Sequence, residues 1–263
     1  MAFLQVKNLW KTYGDSVVLE NINTTVKQGE FVTIVGTSGC GKTTFLRMLL
    51  GVEQPSRGEL LLEGTPLADE PSEERGIVFQ RYSVFPHLTV LKNVLLAREF
   101  EQSLLLGKLF GQAKQKAIAE AMEMLKLVGL DHAAERYPHQ LSGGMQQRLA
   151  IAQALMKKPK ILLLDEPFGA LDPGIRADMH ELILDIWRKT SINVFMITHD
   201  LREGFYLGTR LWVFDKVRND PQHPEAFGSC ITYDIPVGHV DKKTYEKIDK
   251  DMAQTRKTQL LQE

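Results

Sequence analysis

The segment Gly36-Thr37-Ser38-Gly39-Cys40-Gly41-Lys42-Thr43 fits the spacing G-x-x-x-x-G-K-S/T, a phosphate-wrapping loop that requires a strand before it and a helix after it. The flanking sequence meets both requirements. Phe31-Val32-Thr33-Ile34-Val35 predicts a buried β-strand, and the run from Thr44 to Leu50 predicts a helix stopped by Gly51. Glycines let backbone N–H groups approach phosphate oxygens, and the helix N-terminus adds partial positive charge. Lys42 brings a full charge, and the Thr43 hydroxyl, followed by Thr44, can hold Mg²⁺. A chance glycine-rich turn would not need a strand and a helix in this order, so the chain is expected to bind ATP or GTP.

Composition narrows the class. The 263 residues suffice for one sizeable core or two modest subdomains, and 43% hydrophobic with 25% charged residues is ordinary for a globular chain. A net charge of −1 supplies no basic field for nucleic acid, so no nucleic-acid partner is expected. No apolar run approaches the roughly 20 residues that cross a bilayer, and Met1-Ala2-Phe3-Leu4-Gln5 has no basic signal-peptide start. The two cysteines, Cys40 and Cys230, read as reduced thiols of a cytosolic protein, because a disulfide would tie down a loop that must close on its ligand.

Three more apolar runs end in polar residues. Ile77-Val78-Phe79 leads to Gln80, Ile161 to Leu164 leads to Asp165-Glu166, and Val194 to Thr198 leads to His199. Such runs suit strands buried on both faces of a parallel sheet, where ligands sit at the strands' carboxyl ends. Four strands would thus bring Lys42, Gln80, Asp165, Glu166 and His199 to one edge. Asp165 can complete a Mg²⁺ shell opposite Thr43. Glu166 can polarise an attacking water, His199 can donate to the γ-phosphate, and the Gln80 amide can reach Mg²⁺ or the water. The plainer reading makes Asp165-Glu166 a helix N-cap pair before Pro167, and His199 and Gln80 satisfied loop residues.

Leu141-Ser142-Gly143-Gly144-Met145-Gln146-Gln147-Arg148 carries a second anion site. Met145, Leu149, Ala152 and Met156 are spaced four, three and four apart, so a helix is expected to begin near Ser142. A serine hydroxyl, bare N–H groups and a helix dipole suit a phosphate. One chain cannot easily bring this helix and the phosphate-loop helix onto one γ-phosphate. A head-to-tail pair can, each copy donating Ser142, Gly143 and Gly144 to the other's nucleotide.

Taken together these residues resemble the ATP-binding cassette (ABC) ATPases over roughly residues 3 to 215. The phosphate loop resembles their Walker A, Leu141–Arg148 their LSGGQ signature, and Ile161–Glu166 their Walker B. Gln80 and His199 look like the Q-loop glutamine and switch histidine, Ala170-Leu171-Asp172 like the D-loop, and Tyr13 like the aromatic residue that stacks on adenine. The resemblance implies an α/β, ABC-type P-loop nucleotide-binding domain: a mixed RecA-like core with an antiparallel β subdomain and a helical subdomain. It implies ATP and Mg²⁺ as cofactors, with Asp172 among the residues that bind the nucleotide, and a homodimer or a paired ABC ATPase subunit. It further implies transmembrane permease subunits, a solute-binding protein contacted indirectly, and a peripheral place on the cytoplasmic face of the inner membrane.

Met145 departs from the glutamine usual at the fifth signature position. With Tyr137-Pro138-His139-Gln140 and Pro167 to Asp172, it resembles the importer branch for nitrate, sulfonate, taurine and related solutes. An exporter or lipid-trafficking ATPase is the nearer alternative. A soluble ABC ATPase of repair or translation is the farther one, since no sustained heptads or second motif set occur. A simple GTPase would need an Asn-Lys-x-Asp motif, which is absent. By resemblance, the aromatic stretch from Arg81 to Leu88 faces the permease.

The expected organisation is a cassette over residues 1–215, with an antiparallel part from Phe3 to about Gln28 and a parallel core to about Phe85. A helical subdomain follows over about 87–157, and the core resumes from Pro159. Ile118, Ala121, Leu125 and Val128 form one apolar helix face before Gly129, and Arg98 to Phe110 reads as an insert, apolar from Leu104 to Phe110. Residues 216–263 read as an extension with one possible strand, Ile231 to Ile235, and a polar helix from Asp241.

Overall fold

The computed structural model describes residues 2–79, 84–102, 111–218, 220–223 and 225–238. Gln80, Arg81 to Ser83, the apolar part of the insert and the helix expected from Asp241 lie outside the described residues.

The chain opens with strands β1 (Leu4–Tyr13) and β2 (Ser16–Val26), joined by a two-residue turn, Gly14-Asp15. Strand β3 (Phe31–Gly36) enters the phosphate loop, and α1 (Lys42–Leu50) leaves it. The expected stop at Gly51 is an αL cap at φ 85°, whose N–H returns to the carbonyls of Arg47 and Met48. There follow β4 (Arg57–Leu62), β5 (Thr65–Pro66), β6 (Arg75–Val78), α2 (Val90–Gln102), α3 (Gly111–Leu127) and α4 (Gly143–Leu155). The last part comprises β7 (Ile161–Asp165), α5 (Pro173–Thr190), β8 (Asn193–Ile197), α6 (Leu201–Leu207), β9 (Arg210–Asp215) and β10 (Cys230–Pro236).

The central sheet has the order β10-β9-β3-β8-β7-β6, parallel throughout except for β10. Its inner strands β3, β7 and β8 bury both faces. Along β7, Leu162 and Leu164 join the core shared with α2 to α6, while Ile161 and Leu163 join the core shared with α1 and the second sheet. Alternate side chains thus serve two different layers, which is why the run is continuously apolar rather than alternating.

The second sheet is antiparallel, with order β2-β1-β4-β5. Here the structure departs from the expected unbroken parallel core between Gln28 and Phe85. Residues 57–62 pair with β1, matching Leu4 to Leu62 and Val6 to Leu60, and the chain turns back at Glu63-Gly64 so that β5 pairs with β4. The run Leu60-Leu61-Leu62 is apolar enough for a parallel strand. The chain's choice of β1 as partner is a tertiary matter that periodicity does not carry.

On the helical side, Ala117, Ala121, Leu125 and Val128 are buried, and Ile118 packs against the same core. Helix α2 runs on to Gln102, so the first residues of the insert continue a helix instead of opening a loop. The strand expected at Ile231–Ile235 exists as β10 and closes one end of the central sheet. Arg210 on β9 holds it through two contacts of 2.6 Å to the Asp234 carboxylate, and also donates to the carbonyl of Thr25. The segment before β10 crosses back over β2, with Glu20 N–H donating to Ser229 and Ser229 N–H to Val18.

Candidate functional site

Strands β3, β8 and β7 are adjacent, so their carboxyl ends meet at one edge. Two backbone bonds lock those ends together: Glu166 N–H donates to Ile197 O at 3.1 Å, and Thr198 N–H donates to Ile34 O at 3.1 Å. The resulting cavity, about 360 Å³, is lined by Val18, Ser38, Gly39, the residues from Gly41 to Thr44, Glu166 and His199. Residues more than 120 positions apart therefore share one wall, Lys42 with Glu166 and His199, and Asp165 adjoins it through Thr43.

The phosphate loop depends on Gly36. Its φ is 152°, and a Cβ there would lie 2.2 Å from the carbonyl oxygen of Phe214 on β9. Only glycine allows β3 to leave the sheet this close to its neighbour. The Lys42 ammonium is buried and donates to the carbonyls of Gly36 and Thr37, both at 2.8 Å, and contacts Cys40 Sγ at 3.6 Å. Its three protons thus go to the loop itself, so a bound phosphate has to replace at least one of these contacts. Cys40 is buried, and both Cys40 and Cys230 are free thiols.

Thr43 Oγ1 lies 3.5 Å from Asp165 Oδ1. The pair offers a hydroxyl and a carboxylate oxygen from facing elements, a donor set that fits a hard divalent cation. Burial, then the neighbouring Glu166 charge, holds the Asp165 carboxyl above its ordinary value of 3.8, against the Thr43 hydrogen bond and the charges of Arg47 and Lys42. A raised folded-state value means that the folded chain binds this proton more tightly than the unfolded chain does. Ionised Asp165 therefore weakens the fold, by an amount that grows as pH rises from the unfolded value through the raised one and is constant above it. Asp165→Asn is expected to melt above the native chain at pH 7 in nucleotide-free, metal-free buffer. The gain should vanish as pH approaches about 4, and scanning calorimetry at several pH values checks it.

Glu166 is no helix N-cap: a turn follows it, α5 begins only at Pro173, and its own φ is 49°, in the left-handed region. This backbone turns the side chain out of the β7 direction, where Oε1 makes a very short contact with His199 Nε2. His199 is more than half exposed, whereas Glu166 is largely covered. Beside α1, Tyr13 ends β1 half-exposed, donates its hydroxyl to Glu53, and has Lys11 Nζ 4.9 Å over its ring. Burial first, then Glu53, raises the Tyr13 hydroxyl's pKa.

Ser142 is the N-cap of α4, its hydroxyl accepting from Met145 N–H at 3.3 Å. Ser142 and Gly143 are exposed, and neither lines the phosphate cavity. Gly144 is buried against α5, where a Cβ would come within 2.5 Å of Ile175. The two glycines of the signature therefore differ: one is free to meet a ligand, and the other is required by packing inside the chain. Asp172 caps α5 by position but its side chain makes no cap hydrogen bond.

Two features had no readable signal in the sequence. Val18 lines the cavity because β2 passes over the loop. His180 on α5 and Glu203 on α6 form a buried pair beneath the strand ends, at 2.6 Å; each would pass as an ordinary amphipathic-helix residue.

The loop between β3 and α1, with its lysine, hydroxyl and facing carboxylates, defines a P-loop nucleotide-binding protein. Residues 19–169 match the family described as ABC transporter. The nitrate import ATP-binding protein NrtD of Synechocystis sp. is 44% identical over 200 residues, covering 76% of this chain and 71% of that protein. The spermidine/putrescine import ATP-binding protein PotA of Chromobacterium violaceum is 40% identical over 215 residues, covering 81% of this chain, which spans 57% of PotA's length. Among solved structures, the dimeric ATP-binding cassette MJ0796 in a post-hydrolysis state, bound to ADP and Pi, superposes with a TM-score of 0.71 at 29% identity, covering 90% of this chain and 100% of that one. The chain belongs to the ABC transporter family, as an ATP-binding subunit whose hydrolysis of ATP is coupled to transport. Among the described residues no helix is long and apolar enough to cross a membrane.

Proposed function

We propose that this chain is the ATPase subunit of an importer for a small solute of the nitrate, sulfonate or taurine kind. Two copies, or one copy and a paired ABC ATPase subunit, sandwich two Mg-ATP head to tail. Lys42 and the loop from Gly36 to Thr44 hold the phosphates, Tyr13 stacks on adenine, and Thr43, Asp165 and Gln80 hold Mg²⁺. Glu166 polarises the attacking water and His199 supports the γ-phosphate. Ser142 and Gly143 of each copy close on the other's ATP, beside Asp172, while Gly144, expected with them, lets this helix end pack on Ile175. Mg²⁺, when bound, neutralises charge developing on the β- and γ-oxygens. ATP joins the two halves through its γ-phosphate, and its loss on hydrolysis releases them, which drives a separate permease.

The observation that carries this reading is the meeting of Lys42, Thr43, Glu166 and His199 at one cavity, while the exposed Ser142–Gly143 helix end stands outside it. A second phosphate-binding end with no phosphate cavity of its own calls for a second chain. The importer reading draws on relatives whose names specify nitrate import and bicarbonate transport, both anions, at 44% and 42% identity, and on Met145. On it the chain sits on the cytoplasmic face of the membrane, with residues 216–263 as an extension of the cassette and no nucleic-acid partner.

Affinity purification of the full chain from solubilised membranes, followed by mass spectrometry, tests this. An integral permease is expected to co-elute, encoded beside a binding protein that takes up a small solute of this kind. Recovery with a polyamine-binding partner would overturn the solute class. Recovery with ribosomal or repair proteins and no membrane protein would overturn the transport role.

A further inference from the structure

The Glu166–His199 pair stands on two short segments, Glu166-Pro167-Phe168 after β7 and Thr198-His199-Asp200 after β8. Neither segment is regular structure, so something else has to fix the separation of the two side chains. One buried cluster touches both. Glu203, in the first turn of α6, receives the Thr198 hydroxyl on Oε2 in a very short hydrogen bond and meets His180 Nε2 on Oε1 at 2.6 Å. The Thr198 hydroxyl oxygen in turn accepts Asp200 N–H at 3.1 Å, so the residues on either side of His199 are held by one carboxylate. The His180 ring also packs edge-on against Phe168, centroids 5.2 Å apart, two residues beyond Glu166. His180 and Glu203 are each 6% exposed and Thr198 3%.

A buried carboxylate with hydrogen-bond partners on both oxygens is stiff, because moving it would leave buried polar groups unpaired. His180 therefore grips both segments at once: one through Phe168, the other through Glu203 and Thr198. We propose that His180 and Glu203 are positioning residues for hydrolysis, setting the Glu166–His199 geometry through Thr198 and Phe168 without touching nucleotide. This rests on the reading that Glu166 and His199 act at the γ-phosphate.

The test is steady-state ATP turnover of the full chain in two matched pairs of variants, with Glu166→Gln as reference. Thr198→Val removes the hydroxyl with little change in volume, and Thr198→Ser retains it. His180→Leu removes the contact to Glu203, and His180→Gln keeps a donor amide. Misplacing reacting groups by a fraction of an ångström is expected to lower kcat about tenfold in Thr198→Val and His180→Leu. KM for ATP should stay within about twofold of native, since the phosphate loop is untouched, and Thr198→Ser and His180→Gln should recover most of kcat. If Thr198→Val and His180→Leu keep native kcat while Glu166→Gln is inactive, the positioning role is wrong. If kcat and thermal stability fall together and neither conservative variant restores kcat, the cluster serves the fold alone, and the proposal fails equally. Native turnover in Glu166→Gln would instead overturn the reading of the site on which the proposal stands.

Discussion

Glu166→Gln is expected to lower ATP turnover by about 10² to 10⁴, the usual worth of a positioned general base, while leaving ATP affinity near native. The substitution is nearly isosteric but removes the negative charge, replaces one acceptor oxygen by a donor NH2 group and abolishes the ability to take a proton. The left-handed φ at Glu166 and its N–H bond to Ile197 do not depend on the side-chain charge, so the loop should keep its shape. With hydrolysis blocked, the γ-phosphate that joins the two halves persists. The variant is then expected to elute as a dimer in saturating Mg-ATP and as a monomer in ADP, read by size exclusion with light scattering. A strictly monomeric Glu166→Gln under those conditions, with permease present, removes the basis for assigning Ser142 and Gly143 to a partner's nucleotide.

Lys42→Ala is expected to weaken ATP binding by about 100-fold or more, because charge-assisted hydrogen bonds contribute about 1.5–3 kcal/mol each and every 1.4 kcal/mol is a factor of ten. The substitution also removes the donors that hold the carbonyls of Gly36 and Thr37. Loss of ordering in the free loop and loss of the phosphate contact act in the same direction. Isothermal titration with a non-hydrolysable ATP analogue measures the affinity, and circular dichroism separates it from unfolding. Binding within tenfold of native would mean that backbone N–H groups and the α1 dipole carry the phosphates without the lysine.

These expectations could be framed from sequence because the phosphate loop is contiguous. Gly36, Lys42 and Thr43 lie within eight residues, and local rules of backbone freedom and helix polarity decide what they can do. Asp165 and His199 were legible for another reason. Each ends an apolar run, and strands of a parallel sheet deliver their last residues to one edge. Ser142 was legible as a cap because capping is also local. By contrast, the Leu60-Leu61-Leu62 run reads the same whether it joins the parallel sheet or pairs with β1, and it pairs with β1. Val18 has no chemistry to mark it, and enters the cavity because β2 passes over the loop.

Sequence alone determined that the chain carries a nucleotide-binding loop and that the strands ending at Gly36, Asp165 and Ile197 deliver their last residues to one edge, since those are consequences of short-range geometry and of strands running parallel. Tertiary structure alone decided that Gly144 packs on Ile175 while Gly143 stays open. It alone decided that His180 lies under both segments bearing Glu166 and His199, and that β10 completes the central sheet. Contacts between residues far apart in the chain depend on how layers stack and on which buried polar groups find partners, and neither is written in the periodicity of any one segment.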